Sequence, residues 1–153
     1  MGQMTIAAKL VPEFDREMAK TRRILECVPD EKMEWRPHER SSTLGKLANH
    51  LAAMPIFAAA VVNGMAKRSH DAVSNSALLE AFDQNMATGR KELEAASDEH
   101  LTATVPQLKM TREDVLRERV MSHMIHHRGQ LTVYLRLLNV SVPGAYGPSA
   151  DEK

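Results

Sequence analysis

The sequence predicts an all-α protein, a four-helix bundle with long connectors. Three observations carry that expectation. Apolar residues recur at steps of three and four in four separate segments, as they do on helices with one buried face. No stretch alternates convincingly between apolar and polar residues as a half-buried strand does. Polar or Pro/Gly-containing connectors separate the four segments. Four such helices bury their stripes against one another.

The 153 residues suit one domain over positions 1–153, with an irregular tail at 140–153. A chain of this size buries about 70% of its unfolded surface. Formal net charge is zero, which argues against a dedicated nucleic-acid binder. The basic cluster Lys20-Thr21-Arg22-Arg23 reads as a solvated helix face. A single cysteine, Cys27, excludes an intramolecular disulfide and is compatible with a reducing compartment. Residues 1–10 lack a basic start followed by an apolar run, and no apolar run is long enough to span a bilayer. The expectation is a cytoplasmic protein without a membrane partner. Ten methionines against six aromatic residues point to a core of flexible side chains.

The first helix is expected over 12–28, or from several residues earlier, with Phe14, Met18, Thr21, Leu25 and Val28 inward. Pro12 suits a first turn, and Pro29 stops the helix. Cys27 falls about 200° from Leu25 and reads as a packed or surface thiol. Residues 31–42 form a connector in which Trp35 folds back over the core or borders a pocket mouth, and His38 is solvated. The second helix runs from Ser42 or Thr43 to about Val62, kinked at Pro55. Its stripe is Leu47, Met54 and Phe57, and His50 lies on it.

Residues 63–76 make a polar connector with Gly64, Lys67, Arg68 and His70. The third helix covers about 77–96, with Leu79, Phe82, Met86, Leu93 and Ala96 inward and Gly89 where another helix comes close. Residues 97–110 connect onward; Pro106 breaks any helix there, and His100 is solvated. The fourth helix opens at Thr111, a cap with an acidic residue three positions on, and runs to 139, about 40 Å. Its stripe is Leu116, Val120, His123, His127, Leu131, Tyr134 and Leu138.

The two histidines of that stripe are four apart, so both imidazoles can aim at one spot. The H-x-x-x-H spacing is weak by itself, since it lacks the glutamate of H-E-x-x-H. Two buried imidazoles would nevertheless each need a partner. His50, arriving from the second helix, completes a three-nitrogen set. His126 sits in the more polar row Arg119, Ser122, His126 and Gln130 and reads as a neighbour of the ligands or an interface residue. Arg128 lies about 100° from His127 and reads as a surface or dimer salt bridge, with an anion clamp as the functional alternative.

These residues resemble the DinB/YfiT-like family of metal-dependent enzymes, in its DinB branch. The resemblance rests on Leu47-Ala48-Asn49-His50-Leu51 in the second helix and His126-His127-Arg128-Gly129-Gln130-Leu131 with Tyr134-Leu135-Arg136 in the last. Trp35-Arg36-Pro37-His38 and Tyr146-Gly147-Pro148-Ser149 are similar to its flanking loops. The resemblance implies a four-helix bundle, a triad of His50, His123 and His127, a divalent metal such as nickel or zinc, and a homodimer. It also implies a small-molecule substrate, with a low-molecular-weight thiol as one candidate.

Three neutral imidazoles leave a metal open positions, as catalytic sites do. No carboxylate sits on the inward stripes of the second and fourth helices, and no Ser-His-Asp or Gly-rich phosphate motif occurs. The expectation is a metal-dependent enzyme acting by thiol transfer or hydrolysis. The alternatives are a non-catalytic bundle with a structural or regulatory metal and a metal-free interaction module. Connectors and tail are expected to build the pocket mouth, with Trp35 and Tyr146 as walls. A homodimer is expected because Val120, Met121, Met124 and Ile125 cover much of the fourth helix's girth.

Overall fold

A computed structural model describes residues 2–64 and 71–152. Lys67, Arg68 and His70 of the polar connector lie outside the described residues. Helices α1 (Ile6–Leu25), α2 (Leu44–Ala53), α3 (Ile56–Asn63), α4 (Asn75–Ala95) and α5 (Asp98–Thr102) come first. A short antiparallel pair follows, β1 (Thr104–Val105) with β2 (Met110–Thr111), Thr104 opposite Thr111. The last helix is made of α6 (Arg112–Val115), a π-helical segment (Leu116–Ser122) and α7 (His123–Leu137) in direct succession. The architecture is all-α: α1, the bent α2–α3 pair, α4 and the last helix form the bundle, with α4 packed on the first three and α7 on α1 and α2.

Polar caps set the helix starts. The hydroxyls of Thr5, Thr43, Ser74 and Thr111 accept from backbone N–H groups three residues on, at 3.1, 3.2, 3.3 and 3.1 Å. α1 therefore begins at Ile6 behind its Thr5 cap, the earlier of the two expected starts, and Pro12 falls inside the helix on its exposed side. The expected inward residues of α1 are all buried. At Met54-Pro55 the second helix breaks into α2 and α3, which meet at 44°, because proline lacks the N–H that would continue the ladder.

In α4 the buried line is Leu78, Phe82, Asn85, Gly89 and Leu93, while Leu79, Met86 and Ala96 are only half-buried. Gly89 does mark a close approach: a Cβ there would be driven into the Pro55 carbonyl oxygen. Gly89→Ala should lower stability by about 1–3 kcal/mol through overpacking, despite alanine's better helix propensity. A thermal melt showing equal or higher stability would contradict this packing.

The expected connector at 97–110 contains α5 and β1, which sequence periodicity did not reveal because each is one short turn or pair. His100 is half-buried, and its Nε2 bonds to the Val62 carbonyl. Cys27 is half-buried and bonds to the Arg23 carbonyl; burial raises its pKa, so it carries no reactive thiolate character.

The π-helical segment alters which side of the last helix faces the core. Through it the buried residues step by four, Leu116, Val120, Met124, Arg128, before returning to helical spacing at Leu131 and Leu135. Met121 is buried as well. Single-chain packing thus covers Val120, Met121 and Met124, leaving Ile125 half-buried. The apolar girth offered as the reason for a homodimer is absorbed by the bundle itself. No single helix among the described residues is long and apolar enough to cross a membrane.

Candidate metal centre

α2 and α7 pack together and bring three histidines to one place. His50 lies in the second half of α2, His123 is the first residue of α7, and His127 follows one turn later. Ring centroids are 4.6 Å apart for His50–His127 and His123–His127, and 5.3 Å for His50–His123. One nitrogen from each lies within 4.8 Å of the others, and all three residues are half-buried. They sit at the edge of the core, each partly open, and His123 lines a cavity.

The hydrogen bonds around the rings decide what this group can do. His123 Nε2 and His127 Nε2 are 2.7 Å apart. His127 Nδ1 faces Gln130 Oε1 at 2.7 Å, which makes Nδ1 the N–H and leaves Nε2 a lone pair. The Arg119 backbone one turn back favours the protonated form of His123. The π-helical winding fits this arrangement: the backbone N–H of His123 bonds to Glu118 and Val120 carbonyls and passes over that of Arg119. The two Nε2 atoms stand at hydrogen-bond distance, where bare lone pairs would repel, so a proton or a cation belongs between them.

Burial lowers the His123 pKa, and repulsion from His127, His126 and Arg119 adds to it, together outweighing the Arg119 backbone bond. The shift favours the neutral ring, the form that ligates metals. Imidazole nitrogens converging from three side chains, one ring held from its far side by the Gln130 amide oxygen, are the donor set of a divalent transition metal. The group fits such an ion. Two nitrogens bound to one ion stand farther apart than the 2.7 Å of this pair, which would open slightly to receive it.

A DinB family model matches residues 1–153. The chain belongs to the DinB family. It is 26% identical over 156 aligned residues to the uncharacterized protein YrdA of Bacillus subtilis, covering 91% of this chain and 87% of that one. Among solved structures, a DinB-like protein of Bacillus cereus superposes with TM-score 0.76 at 23% identity, over 94% of this chain and 99% of the other. The DinB-like protein YjoA of Bacillus subtilis gives 0.73 at 22%, over 90% and 97%. The two structural likenesses speak for the fold.

The remaining expected site residues divide. His126 is exposed, its ring 4.9 Å from that of His127, and it supplies no atom to the three-nitrogen group. Trp35 is half-buried and packs edge-on against Tyr134 at 5.8 Å. Its lid role fits this packing; it is not on the wall of the cavity beside the histidines. That cavity, about 730 Å3, reaches His123 and is walled by Phe57, Val61, Val105, Leu108 and Val120 among others.

Tyr146 and Arg128 require correction. Arg128 is 2% exposed and lies in the core, not on the surface. Its Nη2 donates to Glu17 Oε2 at 2.8 Å and to the Tyr146 hydroxyl at 2.6 Å; its Nη1 donates to the Glu17 carbonyl and Thr21 Oγ1 at 3.1 and 3.2 Å. The Tyr146 hydroxyl in turn donates to Glu17 Oε2 at 2.7 Å, while its ring stays exposed under Lys20. Tyr146 therefore ties the tail to α1 instead of walling the cavity. The tail is further held by Asp151, which bonds Arg136 and the Val142 N–H; these bonds lower its pKa to about 2. It ends in a 3-10 turn at Ala150–Glu152.

Sequence reasoning missed Gln130 as the partner of His127 and Arg112 as a cavity residue. Gln130 was detectable, since i+3 on a helix is a neighbouring position. Arg112 had no signal apart from its place at the head of the last helix.

Proposed function

We propose that this DinB protein binds one divalent metal ion, nickel or zinc, through His50, His123 and His127, and that the site transforms a small molecule by thiol transfer or hydrolysis. The observation that carries the reading is the convergence of one nitrogen from each of three histidines within 4.8 Å, with His127 Nε2 left as an acceptor by the Gln130 bond on the far side of its ring. When bound, the ion supplies Lewis acidity and lowers the pKa of a coordinated water or thiol. The chain does the rest. Gln130 fixes the orientation and tautomer of the His127 ring. Phe57, Val61 and Val120 line an apolar approach that excludes water and seats a substrate body. No Asp or Glu stands among the described residues of the cavity wall, so a carboxylate general base is not part of the reading.

The test is a thiol-transfer and hydrolysis screen on metal-loaded protein, with apo protein and His127→Ala alongside. Turnover should vanish in both controls while circular dichroism keeps most of its helical signal, because the four apolar stripes still pack. A structural metal would behave differently: removal would lower the melting temperature sharply, with no activity to lose. Turnover persisting in both controls would exclude the histidines from the reaction.

A further inference from the structure

The cavity beside the histidines is one-sided in charge. Its charged lining side chains are Arg112 and Arg119, with no acidic residue among the described ones, in a chain whose 20 basic residues are matched by 20 acidic ones. Arg119 is well exposed and 3.7 Å from Glu118. Arg112 differs: its Nε is shut off from solvent and has no hydrogen-bond acceptor. A buried guanidinium N–H is costly to leave unpaired, and a carboxylate matches its planar fork. Arg112, Val115, Arg119 and His123 follow one another along one face of the last helix, all on the cavity wall. The wall therefore runs from the guanidinium to the histidines, roughly 15 Å along the axis.

We propose that this cavity selects a small molecule with a single carboxylate and an extended apolar body. Arg112 turns its unpaired N–H into the cavity to take the carboxylate; Phe57, Val61 and Val120 hold the body; the far end reaches His123. Only the role of the far end rests on reading the triad as the reactive site.

Isothermal titration of the full chain with octanoate and octanamide tests this, with the protein metal-loaded and again metal-stripped. Octanoate should bind about tenfold tighter than the amide or better, as one charge-assisted bond allows. Arg112→Gln should erase that preference while leaving octanamide affinity within about twofold, which also reports that the cavity is still formed. The preference should persist without metal, since the carboxylate sits away from the histidines. Equal binding of the two ligands, binding of neither, or a preference that survives Arg112→Gln would overturn the proposal. So would a preference that disappears on stripping, which would place the carboxylate on the ion. Should the protein take up no metal yet keep an Arg112-dependent preference, the metal reading fails and the carboxylate site stands.

Discussion

Arg128→Ala should destabilise the protein by about 3–5 kcal/mol, the cost of removing one partner from a buried ion pair. At about 2–4 °C per kcal/mol for a domain of this size, the melting temperature should fall by roughly 10 °C. Arg128 joins three parts of the chain: Glu17 and Thr21 on α1, its own position on α7, and Tyr146 in the tail. Its loss leaves the Glu17 carboxylate buried with Tyr146 and Lys20 only. Replacing both partners by apolar residues, Glu17→Leu with Arg128→Met, should cost less than either single change. A double variant as unstable as the sum of the singles would mean that the two side chains do not act as a pair.

The same cluster gives a pH dependence with a defined sign. Burial alone would raise the Glu17 pKa, but hydrogen bonds from Tyr146, Arg128 and Lys20 more than offset it and hold the carboxyl below its usual range. A depressed folded-state pKa contributes stability that is fully present above the unfolded value, about 4.3. That contribution is lost as pH falls through the lower folded value. Chemical denaturation from pH 6 downward should therefore show a steeper acid loss in the native sequence than in Glu17→Gln. Parallel acid limbs would contradict the assignment.

The second large effect concerns the histidines. His50→Ala, His123→Ala and His127→Ala should each lower metal affinity by at least about 100-fold, since each removes a ligand and not merely a supporting contact. Gln130→Leu should cost about 10–100-fold, because it frees the His127 ring without removing its nitrogen. His126→Ala should leave affinity nearly unchanged, its ring being exposed and outside the three-nitrogen group. Competition titration against a chromogenic chelator measures the series. Equal losses in His126→Ala and His127→Ala would break the assignment.

The bundle and the three histidines were legible for the same reason. Steps of three and four place side chains on one helix face, and His50, His123 and His127 each fall on such a face. Arg128 was misread because the histidine stripe was taken as the centre of the core. That stripe is its edge: the π-helical winding at Leu116–Ser122 moves the buried line onto Met124, Arg128, Leu131 and Leu135. Neither proline nor glycine marks the segment, so local sequence gives no warning of it. The half-buried position that results is what a site open to small molecules needs. Tyr146 was misplaced for another reason. A tail rich in glycine and proline reads as irregular, and nothing local reveals the long-range bond from Tyr146 to Glu17.

The central claim is that a single divalent ion sits among His50, His123 and His127. Anomalous diffraction from crystals of metal-loaded protein, recorded on either side of the nickel or zinc absorption edge, tests it most directly. The account predicts one peak per chain, about 2.0–2.1 Å from a nitrogen of each of the three rings if the ion is zinc, with at least one further position held by solvent. A peak elsewhere, no peak between these rings, or an ion fully enclosed by protein ligands would contradict it.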